Sequence, residues 1–236
     1  MPDSNNSVFS RLLKRPKRQI DEPVKPFLRG AFHQYGFYIA LVLGIIVLTL
    51  ATDRKARISF AIYFGSVLLV YGVSSTYHLT DWKNERAESL MQKLDHACIF
   101  FLIAGTYTPV CVVCLPYPET WVLNILKIVW SFALLGAFKS ILFTNIPKSI
   151  NVLFYLTLGF CILPFIRRVY ESASGPFTMS FLSGGIIYAL GGIVYGIEYP
   201  DPFPEIFGYH EVFHLCTVIA NLCFAVPITI KVLFPL

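Results

Sequence analysis

Seven apolar stretches, each near the ~20 residues needed to cross a bilayer's hydrocarbon core, set the terms for this chain. They fall at about 33–52, 58–79, 93–115, 121–143, 149–169, 178–197 and 209–232. A backbone in lipid must satisfy its own polar groups, so runs of this length predict helices. The fold class expected is an all-α membrane protein, a seven-transmembrane helix bundle. Composition agrees: 14% of the 236 residues are charged, against about a quarter in a soluble domain. The basic residues bracket the apolar runs instead of forming a reading surface, which argues against nucleic-acid binding.

The organisation expected is a polar, basic tail over residues 1–31 and one membrane domain over residues 32–236. The tail carries Arg11, Lys14, Arg15, Lys17, Arg18, Lys25 and Arg29, and no apolar run follows close to Met1. It reads as a mobile charge cluster that fixes topology, not as a cleaved leader. With the amino terminus inside, the tail joins Lys83, Arg86, Lys93, Lys139 and Lys148 on the cytoplasmic side. These outnumber Arg54, Lys55, Arg57, Lys127, Arg167, Arg168 and Lys231 opposite, which favours a cytoplasmic amino terminus. Lys127 and Lys139, inside the fourth span, lie near its ends and can reach the interface.

Prolines 109, 164 and 227 fall inside three spans and should each kink a helix. Gly192 and Gly196 form G-x-x-x-G and should let the sixth span approach a neighbour within the bundle. The six cysteines sit in apolar runs as packing residues. Cys111 and Cys114 form a lone C-x-x-C, which defines neither a zinc knuckle nor a redox centre.

The chemistry gathers around YPDPFPEIFGYHEVFH (199–214). Three prolines in five residues break the chain, and a helix then carries His210 and His214. Their i, i+4 spacing puts both rings on one face. Ser74 and His78 lie at the end of the second span, and Asp95 at the start of the third. In an alternating bundle the end of span two and the starts of spans three and seven share one membrane face. Three histidines and an aspartate thus meet at one depth, where ionisable groups are costly and point to function. Three imidazoles leave the open fourth position of a catalytic zinc, although imidazole also suits copper, iron or nickel. Asp95 is placed to orient a bound water or to hold a ligand histidine by its second nitrogen. His33 and His96 read as interfacial or hydrogen-bonded side chains. His210, Glu211 and His214 also satisfy H-E-x-x-H, in which the glutamate is a base. Proteases of that kind take a third ligand downstream, and the chain after His214 holds no Asp, Glu or His. Glu211 therefore reads as facing the headgroup region at the start of its helix.

SSTYHLTDW (74–82), LDHACIFFLIAGTYTP (94–109) and FPEIFGYHEVFHL (203–215), with DEPVKPFLRG before the first span, resemble the hemolysin III family and its relatives, the progestin and adipoQ receptors. The resemblance runs from about residue 21 to the end and is nearer the hemolysin III branch. It implies a cytoplasmic amino terminus, zinc held by His78, His210 and His214 near the cytoplasmic helix ends, Asp95 on the metal's water, and Ser74 as the family serine. Adiponectin-receptor relatives are proposed to hydrolyse ceramide, and hemolysin III is named for lysing red cells. The leading expectation is a zinc-dependent hydrolase of a lipid amide in the plasma membrane, with a membrane lipid as substrate. The alternatives are a non-enzymatic membrane-homeostasis receptor or cytolytic protein with structural zinc, a haem carrier, and an intramembrane protease.

Overall fold

A short polar side chain or a glycine sets where each of the first three helices begins. The computed structural model describes residues 25–143, 146–173 and 175–233, so most of the basic tail lies outside the described residues. Helix α1 (Ala31–Leu50) starts after Gly30, which adopts a left-handed φ of 83°. Helix α2 (Arg54–Leu79) is capped by the Asp53 carboxylate, which accepts from the Ala56 amide at 2.7 Å. That cap adds a turn before position 58, where the apolar run alone placed the start. Helix α3 (Glu85–Pro109) begins on the Asn84 side chain, which accepts from the Arg86 and Ala87 amides. Its first two turns are polar and mostly exposed, and so escaped a search for apolar runs. Glu85 and Glu88 there suit the positive end of the helix.

Helix α4 spans Thr120–Leu142, α5 Lys148–Gly159, α6 Ile166–Ser172, α7 Gly175–Ile197 and α8 Tyr209–Leu233. Helices α5 and α6 together make the fifth crossing. Among the described residues, seven segments are long and apolar enough to cross a membrane, from Ala31–Leu50 to Tyr209–Ile230. No extended strand occurs among the described residues.

Two of the three interior prolines act more strongly than a kink. After Pro109, α3 widens into a π-helical turn over Val110–Cys114 that carries Cys111 and Cys114, both buried as free thiols. Before Pro164, α5 stops at Gly159, and a 3₁₀ turn (Leu163–Phe165) leads into α6. Pro164 cannot donate a backbone bond, so the crossing is broken there. Helix α8 runs through Pro227. Lys139 bonds the Asn151 side chain and lies 4.6 Å from the centre of the Phe154 ring, a partner within the bundle instead of the interface.

Helix α3 is the most deeply buried of the crossings and packs on α2, α4 and α5. Helix α1 packs along both α2 and α8, and α7 lies between α5 and α8. The glycines of α7 make that position accessible. A Cβ on Gly192 or Gly196 would lie 3.4–3.5 Å from Val152 of α5. On the other face, a Cβ on Gly191 would fall 2.6 Å from the Cys216 Cβ of α8. Large apolar side chains such as Leu135, Phe138 and Leu153 project outward, exposed, as a lipid-facing surface requires.

Gly191→Leu should therefore wedge α7 from α8 and cost about 1–3 kcal/mol of stability. Its melting temperature in detergent should fall. Gly65→Ala, at an exposed site with nothing within 4 Å of the new Cβ, should melt at or above the wild type.

Candidate metal centre

The last turn of α2 carries His78, which is buried. Beyond it, the Trp82 indole donates to the Tyr77 carbonyl at 2.9 Å, folding the following chain back on the helix end. Before it, Ser74 lies one turn back and is buried at 1% exposure. The first turn of α8 is built by the proline-rich loop. The Asp201 carboxylate accepts from the Tyr209 amide at 2.8 Å, and Glu211 from the Gly208 amide at 2.9 Å. Phe203 and Phe207 pair across the loop, the Phe203 amide donating at 3.0 Å. His210 and His214 are thus held at the very start of a helix, facing inward.

The structure brings the three predicted histidines together. One nitrogen from each of His78, His210 and His214 lies within 4.8 Å of the others, and the Nε2 atoms of His78 and His210 are 3.2 Å apart. Among the described residues this is the one such group of His, Cys, Asp or Glu. His78 and His214 are buried and His210 is nearly so. Two nitrogens bound to one tetrahedral ion with imidazole bond lengths stand about 3.3 Å apart, so the closest pair already has that spacing. A shared proton could join two rings, but it cannot serve three. The three-histidine group could hold a divalent metal ion. The close His78–His210 approach leaves no space for a macrocycle between those two rings.

Asp95 approaches from α3, its Oδ2 3.7 Å from His78 Nε2. That is beyond hydrogen-bonding range. It is also the same nitrogen that faces His210. Of the two placements the sequence allowed Asp95, the carboxylate occupies the side of the ring that faces the cluster, not the far nitrogen. Ser74 and Asp95 line one cavity with His210 and His214, of about 300 Å³. It runs from these polar groups to an apolar lining that includes Leu102, Phe160, Phe181 and Phe224.

Glu211 departs from both sequence readings. It does not face headgroups, since it is 0% exposed. Nor is it free to act as a base. Its Oε1 accepts from Arg29 Nε at 2.5 Å and its Oε2 from the Gly208 amide. With both oxygens engaged, the H-E-x-x-H protease reading loses its base as well as its downstream ligand. Arg29, assigned to a mobile tail by its sequence position, is bound to the membrane domain. Its neighbours Phe27 and Leu28 donate backbone bonds to the carbonyls of Glu205 and Ile206, at 2.9 and 3.1 Å.

His33 was expected at an interface or in a hydrogen bond. It is instead buried between two rings, its centroid 3.8 Å from His214 and 4.8 Å from Tyr71. Neither of its nitrogens has a hydrogen-bond partner among the described residues. The parity that gathered the other histidines also covers the start of the first span, so the signal for His33 was present. His96 behaves as expected: its Nε2 meets the Tyr195 hydroxyl at 3.4 Å and takes no part in the cluster.

A family model described as haemolysin-III related matches residues 22–225, a segment that includes every residue of this centre. The chain belongs to the haemolysin-III-related family. It is 35% identical over 186 residues to the Hemolysin-3 homolog of Bacillus subtilis, covering 77% of this chain and 82% of that protein. To Hemolysin-3 of Bacillus cereus it is 33% identical over 156 residues, 66% of this chain and 69% of the relative. A human relative, the monocyte to macrophage differentiation factor, is 24% identical over 196 residues, 78% and 74% of the two chains. Membership and the seven crossings together make this a multi-pass integral membrane protein.

Elemental analysis of the purified family member should find about one divalent ion per chain, as three inward nitrogens can hold one ion. His78→Ala and His214→Ala should each abolish its retention through dialysis, while His96→Ala should leave it unchanged.

Proposed function

We propose that this chain is a zinc-dependent hydrolase of lipid amides such as ceramide, set in the plasma membrane with its amino terminus in the cytoplasm. The observation that carries the reading is a carboxylate, Asp95, 3.7 Å from a nitrogen of the three-histidine cluster, at the polar end of an apolar cavity. His78, His210 and His214 would hold the ion. Zinc, when bound, lowers the pKa of water and polarises a carbonyl.

The chain's own residues supply the rest. The apolar lining takes the acyl chain and excludes water from it. Asp95 accepts the proton of the attacking water and returns it to the departing amine. Ser74 Oγ, one turn before His78, donates to the oxygen on which charge develops. The products balance as a fatty acid and a free amine. The α7 and α5 residues that line the cavity suggest a lateral path for the substrate between helices.

A second reading draws on the names of the two bacillary relatives, Hemolysin-3 and a Hemolysin-3 homolog. In it the protein is a cytolytic factor or membrane-homeostasis receptor, and zinc only braces the bundle. Turnover separates the two. Purified protein in lipid nanodiscs should release fatty acid from ceramide. Asp95→Asn should lower kcat by about 10²–10⁴-fold while keeping its zinc. Absence of cleavage by zinc-loaded protein, with melting that collapses on chelation, would favour the structural role.

A further inference from the structure

Helices α2 and α8 must meet for the three rings to share an ion, and the segment that joins them at that end is the one before α1. It touches the supports of all three histidines. Arg29 binds Glu211, the chain neighbour of His210. Gly30 packs on His78: a Cβ there would lie 2.9 Å from the His78 Cβ, and the residue holds a φ of 83° that side chains rarely adopt. His33, one turn on, stacks on His214. Backbone bonds from Phe27 and Leu28 to Glu205 and Ile206 fasten the same segment to the loop that starts α8. Deeper in the bundle α2 and α8 are linked separately, by Asn221 donating to the Tyr71 hydroxyl at 2.7 Å and by Tyr63 donating to the Asn221 carbonyl at 3.2 Å.

We infer that Arg29 is a positioning residue for the metal ligands, acting through Glu211 to lock the first turn of α8 against the end of α2 and so to slow the release of the ion. This rests on the zinc reading above. The buried Glu211 carboxylate has two donors, and they differ in reach. Gly208 is local and belongs to the same helix start. Arg29 is 182 residues away and belongs to the segment that also covers His78. Of the two, only the Arg29 bond ties His210 and His214 to α1 and α2. A guanidinium on a carboxylate fixes direction as well as charge. The arginine is one-fifth exposed, so its release would loosen the first turn of α8 from the segment before α1. The bundle would keep its deeper Tyr71–Asn221 tie and remain folded.

The test uses full-length protein in nanodiscs, loaded with zinc and mixed with a chromogenic chelator. Arg29→Ala and Glu211→Gln should each speed zinc release by about tenfold or more, the scale seen when groups that orient ligands are lost. Arg29→Lys should recover part of the wild-type rate, and the exchanged pair Arg29→Glu with Glu211→Arg should release more slowly than either single charge reversal. Arg167→Ala, which removes an exposed pair with Glu171, should release at the wild-type rate. Zinc-free Glu211→Gln, which leaves no carboxylate buried without its partner, should melt with the wild type, whereas zinc-free Arg29→Ala should melt lower. Release at wild-type rates from Arg29→Ala and Glu211→Gln would overturn the role of Arg29 and leave the zinc reading intact. So would a fall in the zinc-free melting temperature of Glu211→Gln matching its faster release. Wild-type protein that takes up no zinc would instead defeat the reading on which this role rests.

Discussion

Imidazole nitrogens buried at membrane depth have no bulk water to bond, and that constraint governs this bundle. A buried polar group without a partner costs on the order of 1–3 kcal/mol, yet His78, His210 and His214 turn their nitrogens toward one point. A metal ion would resolve the conflict, since it can accept lone pairs from all three rings at once. The rest of the site follows. Asp95 lies on the cluster side of His78 and Ser74 one turn below it, and the apolar cavity opens away from them.

Such a cluster also asks much of the scaffold, since its ligands come from helices at opposite ends of the sequence. The bundle answers with two sets of ties. Deep in the interior, Tyr63 and Tyr71 of α2 engage Asn221 of α8. At the metal end, the segment before α1 docks on the loop that starts α8, and Arg29 neutralises Glu211. A buried carboxylate left alone would be strongly destabilising. The pairing therefore lets a helix begin with an acid turned into the protein while its histidines face the cluster. Glycines on α7 complete the arrangement by letting α8 seat closely at Gly191 and α5 at Gly192 and Gly196.

The crossings were legible because hydropathy over some twenty residues is a long, redundant signal. So was the meeting of His78, Asp95, His210 and His214, since chain alternation alone fixes which helix ends share a face. What alternation cannot give is the rotation of a side chain about its helix. Glu211 was therefore read outward, when its partner is an arginine 182 residues upstream. Arg29 reads as tail in the sequence because charge patterning sees no contacts. His33 obeys the same parity as its neighbours, but a lone histidine at a helix end reads as interfacial or hydrogen-bonded, and it lies instead face to face with His214. The break at Pro164 and the wide turn after Pro109 were seen as kinks, since a proline's position tells that a bond is lost but not how neighbours rearrange.

X-ray absorption at the zinc edge of the purified, detergent-solubilised protein reaches the centre most directly. Three histidine ligands should give a shell of light atoms at about 2.0–2.1 Å with the outer scattering of imidazole rings. A sulfur shell near about 2.3 Å would place the ion on the cysteines. That result, or a sample holding no metal after zinc is supplied, would contradict a shared ion among His78, His210 and His214.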